Sequence, residues 1–246
     1  RIAACLERVA WADEIVVVDM NSSDKTVEIA ERFTKNITLI PKKSHVELGR
    51  NIGINKANGE WILVLDADET LSPGEEQIIR RLIQNKDIDG YWFPRRNYYT
   101  KHKYFKYGFF YPDKQLRLFR KRDDIRYSGV IHEPPSIPKE NTRYVQNLFI
   151  EHRRPAMERG FIFLYLRSLP YIKLEAFRLA NTKRSSVFLL EKGIKEIGKY
   201  FYISCITKSG YKDGFIGFRA SLFHGLYKGS ICFYAAHLKL RRSVTK

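Results

Sequence analysis

Cysteine is scarce in this chain of 246 residues: Cys5, Cys205 and Cys232 stand far apart and form no C-x-x-C pair. That spacing argues against a disulfide framework or a thiolate zinc site. The three are expected to be small buried hydrophobes in a protein of the reducing cytoplasm. No run of about 18 apolar residues occurs, so no segment is expected to span a bilayer, and no secretory leader is evident. Internal repeats and low-complexity tracts are lacking. So is a Gly-rich, Lys-bearing loop in residues 1–20, which nucleotidyl transfer on an α/β sheet would want after its first strand. Acidic residues are thin in only one part of the chain. Residues 1–90 hold 12 Lys/Arg against 16 Asp/Glu, a net −4, whereas 91–246 hold 32 against 11, a net +21. A basic body of that kind attracts polyanions: nucleic acid, an anionic bilayer or a phosphorylated glycolipid. No RNP, zinc-finger or helix-turn-helix signature accompanies it, which counts against a nucleic-acid-binding module.

What is present begins with Asp66-Ala67-Asp68-Glu69, which closes the apolar run Trp61-Ile62-Leu63-Val64-Leu65. Carboxylates at the tip of a buried strand suit Mg²⁺ or Mn²⁺, which take hard oxygen ligands and complete their shell with substrate phosphates. An acidic loop end without function is the plainer alternative, and the surrounding pattern speaks against it. Glu14-Ile15-Val16-Val17-Val18-Asp19 is a β-branched run ending in Asp, followed by a polar turn and a helical pattern from Thr26 to about Phe33. Ile37–Ile40 reads as the next strand and Leu48–Ala57 as the next helix, broken at Asn58-Gly59. In open sheets ligands collect at the carboxyl ends of strands, so Asp19 and Asp66/Asp68 are expected to face one crevice. Beyond it, 71–87 reads as a capped helix, Gly90 opens a strand, and Leu116–Arg120 alternates like a strand with one basic face. Residues 97–113, dense in Tyr, Phe, Lys and His, read either as an acceptor-contacting flap or as a packed aromatic hairpin.

The series Ala12–Asp19, Asn21–Thr26, Gly49-Arg50-Asn51, Ala57–Ile62 and Leu65–Glu69 resembles the nucleotide-sugar-binding half of a family 2 glycosyltransferase. The likeness extends through Gln115–Arg120 and Gly129–Glu133, in an order similar to the bacterial lipopolysaccharide-core branch. The resemblance implies an α/β GT-A (Rossmann-like) fold, with a mixed, mainly parallel sheet flanked by helices and a helical C-terminal region. Residues 1–155 would form the catalytic domain and 156–246 the basic helical part. Members usually begin with a strand and a Thr-x-Asn-Glu turn ahead of the helix that here opens at Arg1. This sequence is therefore expected to be truncated at its N-terminus.

The resemblance also implies an activity and its residues. A divalent cation (Mg²⁺ or Mn²⁺) would be held by Asp68, with Asp66 on the donor's ribose, Asp19 on the base, and Arg50 on the base or diphosphate. The donor would be a nucleotide sugar, a UDP-sugar by expectation, and the acceptor a glycan or glycolipid of the cell envelope. Glu133 would be the general base and His132 a metal ligand or acceptor contact. His152 competes for the metal role, and Asp113 is a weaker candidate for the base.

From Glu158 onward the pattern turns to long helical stretches, Arg159–Leu179, expected to kink at Pro170, and Ser185–Tyr202, then a Gly-rich break at 209–214. Phe215, Phe218, Leu222 and Leu226 recur at helical spacing among cations. Residues 211–246 are thus expected either to lie on an anionic membrane, at its cytoplasmic face, or to pack against the protein.

Overall fold

The computed structural model describes residues 1–42, 46–128, 134–153 and 159–244, with only the backbone of Leu48, Ser243 and Val244. It divides into two compact units, Arg1–Arg95 with Lys114–His152, and Arg96–Asp113 with Arg153–Lys246. The second unit thus takes the aromatic segment 96–113 as well as the C-terminal helices.

The first unit is α/β. Its elements are α1 (Ile2–Glu7), β1 (Val17–Asp19), α2 (Thr26–Ala30), β2 (Ile37–Leu39), α3 (Glu47–Lys56), β3 (Trp61–Leu63), β4 (Glu69–Leu71), α4 (Glu75–Leu82), β5 (Gly90–Asn97), β6 (Asp113–Arg120), β7 (Thr142–Tyr144) and β8 (Ile150–His152). The strand ends β5 and β6 reach into the second unit's segment 96–113. β1 and β2 pair in parallel, which requires a crossover connection, here through α2. The larger sheet runs β3-β6-β5-β8-β4, with β7 beside β5. It is mixed, as expected: β3 is antiparallel to β6 and β4 to β8, while β7 is parallel to β5.

Both faces of β6 are covered. Leu118 joins Leu71, Ile79, Tyr91, Phe93 and Ile150 on one side, and Phe119 joins Ile54, Ile62, Ile125 and Tyr127 on the other. Neighbouring residues of a strand face opposite ways, so Arg117 shares the Phe119 side. The expected basic face of this strand is therefore not solvated; Arg117 is 1% exposed and paired with carboxylates. The helix read at 71–87 begins only at Glu75, because Glu69–Leu71 pairs with β8 as a strand. Ser72 N–H then donates to the Glu75 carboxylate at 2.7 Å, tying the turn before the helix to its first residue.

The second unit is built on α5 (Phe161–Ala180), α6 (Ser186–Tyr202) and α7 (Phe215–Val244). Ser185 caps α6 by accepting the Phe188 N–H at 3.1 Å. Pro170 lies inside α5, which runs through it as one element. Ile172, Ala176 and Ala180 of α5, Leu189 of α6, and Ile231, Ala235 and Ala236 of α7 share one core. Segment 96–113 is the packed aromatic hairpin of the two readings. Tyr98 bridges Tyr104, Phe105 packs with Leu164 and Ala220, and the Lys106 and Tyr107 N–H groups both donate to Asp213 at 3.0 Å.

Gly225 shows why α6 and α7 pack so closely. A Cβ there would come within 2.6 Å of the Ile197 carbonyl oxygen, a backbone atom with nowhere to go. Gly225→Val should cost about 1–3 kcal/mol through overpacking. Gly198→Ala, at a helical site with no atoms within 4 Å of the new methyl, should stabilise by about 0.5–1 kcal/mol. Thermal unfolding of the two variants should therefore move in opposite directions; a Gly225→Val protein as stable as the parent would refute the close approach.

Candidate active site

The carboxylate cluster is created by a tight turn between β3 and β4. β3 pairing continues one step past Leu63, as the Val64 N–H donates to the Arg117 carbonyl at 2.8 Å. The chain then reverses: the Glu69 N–H donates to the Asp66 carbonyl at 2.9 Å, and the Asp66 N–H donates to the Glu69 carboxylate at 3.0 Å. These reciprocal bonds fix the backbone of Asp66-Ala67-Asp68-Glu69. Asp66 and Asp68 keep 31% and 29% of their side chains exposed, and Glu69 none. The turn therefore offers two carboxylates to a ligand and uses the third as its own support.

Three arginines hold the Asp66 and Glu69 carboxylates. Arg117 donates to Glu69 at 2.8 Å and to Asp66 at 3.1 Å, Arg95 donates to Glu69 at 2.7 Å, and Arg50 of α3 straddles both Asp66 oxygens at 2.7 and 3.0 Å. Burial alone would raise the Asp66 pKa, but Arg117 and Arg50 outweigh it and hold the carboxyl well below its usual range. For Arg117 burial works toward neutrality, and Glu69 and Asp66 keep it charged. Asp66 is thus an anion across the physiological range. Cys5, whose thiol lies 3.7 Å from the Asp66 carbonyl, is pushed up to about 12 by burial and by the Glu69, Asp66 and Asp68 charges. It is an inert thiol, and all three cysteines are buried as expected.

The sheet brings one distant side chain to Asp68. In the β4–β8 register Glu69 stands opposite His152, and His152 Nε2 lies 3.6 Å from Asp68 Oδ1. Among the described residues no group of three or more His, Cys, Asp or Glu side chains gathers as a metal cage. An Asp oxygen beside an imidazole nitrogen is a donor pair better matched to Mn²⁺ than to Mg²⁺, which prefers oxygen ligands throughout. His132 and Glu133 lie outside the described residues. Tyr127, which precedes them in sequence, is anchored to α3. Asn51 of α3 donates to the Tyr127 carbonyl and accepts the Tyr127 N–H, both at 2.8 Å, while the Arg50 guanidinium lies 5.2 Å from the Tyr127 ring.

Asp19, at the end of β1, is buried and accepts the Ser22 N–H at 2.8 Å, ordering the polar turn before α2. Its strand is covered by α3, where Gly49 and Gly53 lie against Val18. The Arg50 helix therefore rests on the Asp19 strand and reaches Asp66 from there. Sequence reasoning missed Arg117, Glu69 and Arg95. The available signal was Leu116, Leu118 and Phe119, apolar on both parities of a strand, which implies that any charge between them is buried and paired.

Comparison with known proteins bears on this arrangement. The family model described as Glycosyl transferase family 2 matches residues 1–137. The SPbeta prophage-derived glycosyltransferase SunS of Bacillus subtilis is 29% identical over 163 residues, 62% of this chain and 36% of that protein. An uncharacterized glycosyltransferase of Rickettsia bellii is 35% identical over 80 residues, 32% of this chain and 27% of that protein. The chain spans about a third of the length of these curated relatives. The crystal structure of S. aureus TarS 1-349 aligns at 14% identity with a TM-score of 0.46, covering 98% of this chain and 88% of that one.

Proposed function

The chain belongs to glycosyl transferase family 2, and from that premise we propose that it is a metal-dependent, inverting glycosyltransferase. The donor is a nucleoside-diphosphate sugar, with a UDP-sugar the first to try. The acceptor is a glycan or glycolipid of the bacterial envelope, as in lipopolysaccharide-core synthesis, met at the cytoplasmic face of the membrane. The observation that carries the reading is the Asp66–Glu69 turn, which presents Asp68 beside His152 while arginines keep Asp66 ionised.

Asp68, with His152, would hold the divalent cation, and His132 remains a further candidate ligand. When bound, the cation neutralises charge on the leaving diphosphate. Asp66 accepts hydrogen bonds from the donor's ribose, and its orientation is fixed by Arg50 and Arg117 before the donor arrives. Arg50, on the same helix that covers the Asp19 strand, meets the base or the diphosphate, and Asp19 meets the base. Glu133 takes the proton of the acceptor hydroxyl as its oxygen attacks the anomeric carbon. The bond to the diphosphate oxygen breaks on the opposite side, so configuration inverts.

A screen of nucleotide sugars by calorimetry, with and without Mn²⁺, tests the reading. Binding of a nucleotide sugar that requires the cation supports it. Absence of binding across the common donors in the presence of Mn²⁺ would refute it.

A further inference from the structure

The helical unit carries all of the protein's net charge. Residues 96–113 and 153–246 hold 23 Lys/Arg against 6 Asp/Glu, leaving 21 of each in the remainder, so the chain's +17 belongs to this unit. The same unit also has the exposed apolar surface. Of the 18 large hydrophobic residues that are exposed among the described residues, only Leu39 and Val46 lie outside it.

This apolar exposure is ordered. On α7, Phe215, Phe218, Leu222 and Leu226 form an exposed stripe, while Ile231, Ala235 and Ala236 are buried in the bundle core. On α6, Val187, Leu190 and Ile194 form a second stripe at helical spacing, and Leu189 and Gly193 are turned inward. Each helix therefore has two apolar faces, one that builds the bundle and one that does not. Cations accompany the outer faces. The Arg219 guanidinium lies 5.8 Å from the Phe215 ring, Arg184 lies 5.1 Å from the Phe188 ring, and Lys195 and Lys199 of α6 are exposed. Long basic side chains laid over apolar groups keep their charge in water or among headgroups while their stems cover hydrocarbon.

We propose that the helical unit is a docking surface for an anionic lipid bilayer, with the α7 and α6 stripes entering the headgroup region and the surrounding cations meeting lipid phosphates. A second copy of the chain is a poor occupant, because burying the stripes on each other would bring two units of +17 together. Nucleic acid would match the charge and leave the apolar stripes in water. An anionic bilayer alone answers both features. No helix among the described residues is long and apolar enough to cross a membrane, so the contact is peripheral. The inference shares with the proposed function only the acceptor's whereabouts, and a vesicle assay without turnover lets the two fail separately.

Deleting α7 is not a usable test, because that helix is part of the bundle core. Phe215→Ser with Ile194→Ser is suitable, since these side chains are 76% and 68% exposed and their loss should leave the unfolding temperature near that of the parent. The full chain should co-sediment with vesicles containing phosphatidylglycerol and not with phosphatidylcholine alone. Raising salt to 1 M, where the Debye length is about 3 Å, should weaken binding strongly. The double substitution should lower partitioning by about tenfold or more. Equal pelleting with neutral vesicles or none with either would overturn the proposal. So would binding that the substitutions leave unchanged and single-stranded DNA displaces, or a dimer in solution that the substitutions dissociate.

Discussion

Arg117→Leu is expected to destabilise the protein by about 3–5 kcal/mol, the usual cost of stripping one partner from a buried ion pair. The Glu69 side chain has no exposed surface, and the Arg117 side chain has 2%. The substitution leaves the fully buried Glu69 carboxylate with Arg95 and one backbone N–H. Against a total stability of about 5–15 kcal/mol, this is a large fraction. Denaturant unfolding of Arg117→Leu, Glu69→Gln and the double variant checks the coupling. The double variant should be more stable than the sum of the two single losses predicts, because neither charge is then stranded. An Arg117→Leu protein within about 1 kcal/mol of the parent would show that the pair is not the support of the turn.

Glu133→Gln should have the largest effect on turnover. Glutamine keeps the size and most hydrogen bonds of glutamate but cannot accept a proton. Turnover should fall by roughly two to four orders of magnitude while donor affinity changes little. The measurement is steady-state transfer alongside equilibrium donor binding. Near-normal turnover would move the base elsewhere, Asp113 being the next candidate; its carboxylate accepts the Asn97 side-chain amide at 2.9 Å.

The sequence was most legible where local pattern and burial agree. A β-branched run ending in Asp19 became β1, and the apolar run before Asp66 became β3, because a strand covered on both faces needs apolar residues at successive positions. Leu48–Ala57 read as a helix broken at Asn58-Gly59, and α3 occupies Glu47–Lys56. What escaped was set by pairing between distant segments. β4 and β8 are three residues each, too short for any period to register, and their register alone puts His152 beside Asp68 from 84 positions away. Arg117 read only as part of one basic face because alternation reports only one partner surface. The second surface, with Tyr127 and the Arg50 helix, comes from residues that are remote in sequence. Glycine at 229 carries no periodic signal, yet in the bundle its missing side chain is what lets α7 lie against Ile197.

The most direct test of the account is a calorimetric titration of uridine diphosphate into the parent protein and into Asp68→Ala, each with and without Mn²⁺. Asp68 is a partly exposed turn residue outside the core, so the variant should keep its fold and its unfolding temperature. The account predicts that the parent binds the diphosphate only when Mn²⁺ is present and that Asp68→Ala loses this cation-dependent binding. Equal affinity of the two proteins, or binding by the parent that is indifferent to Mn²⁺, would contradict it.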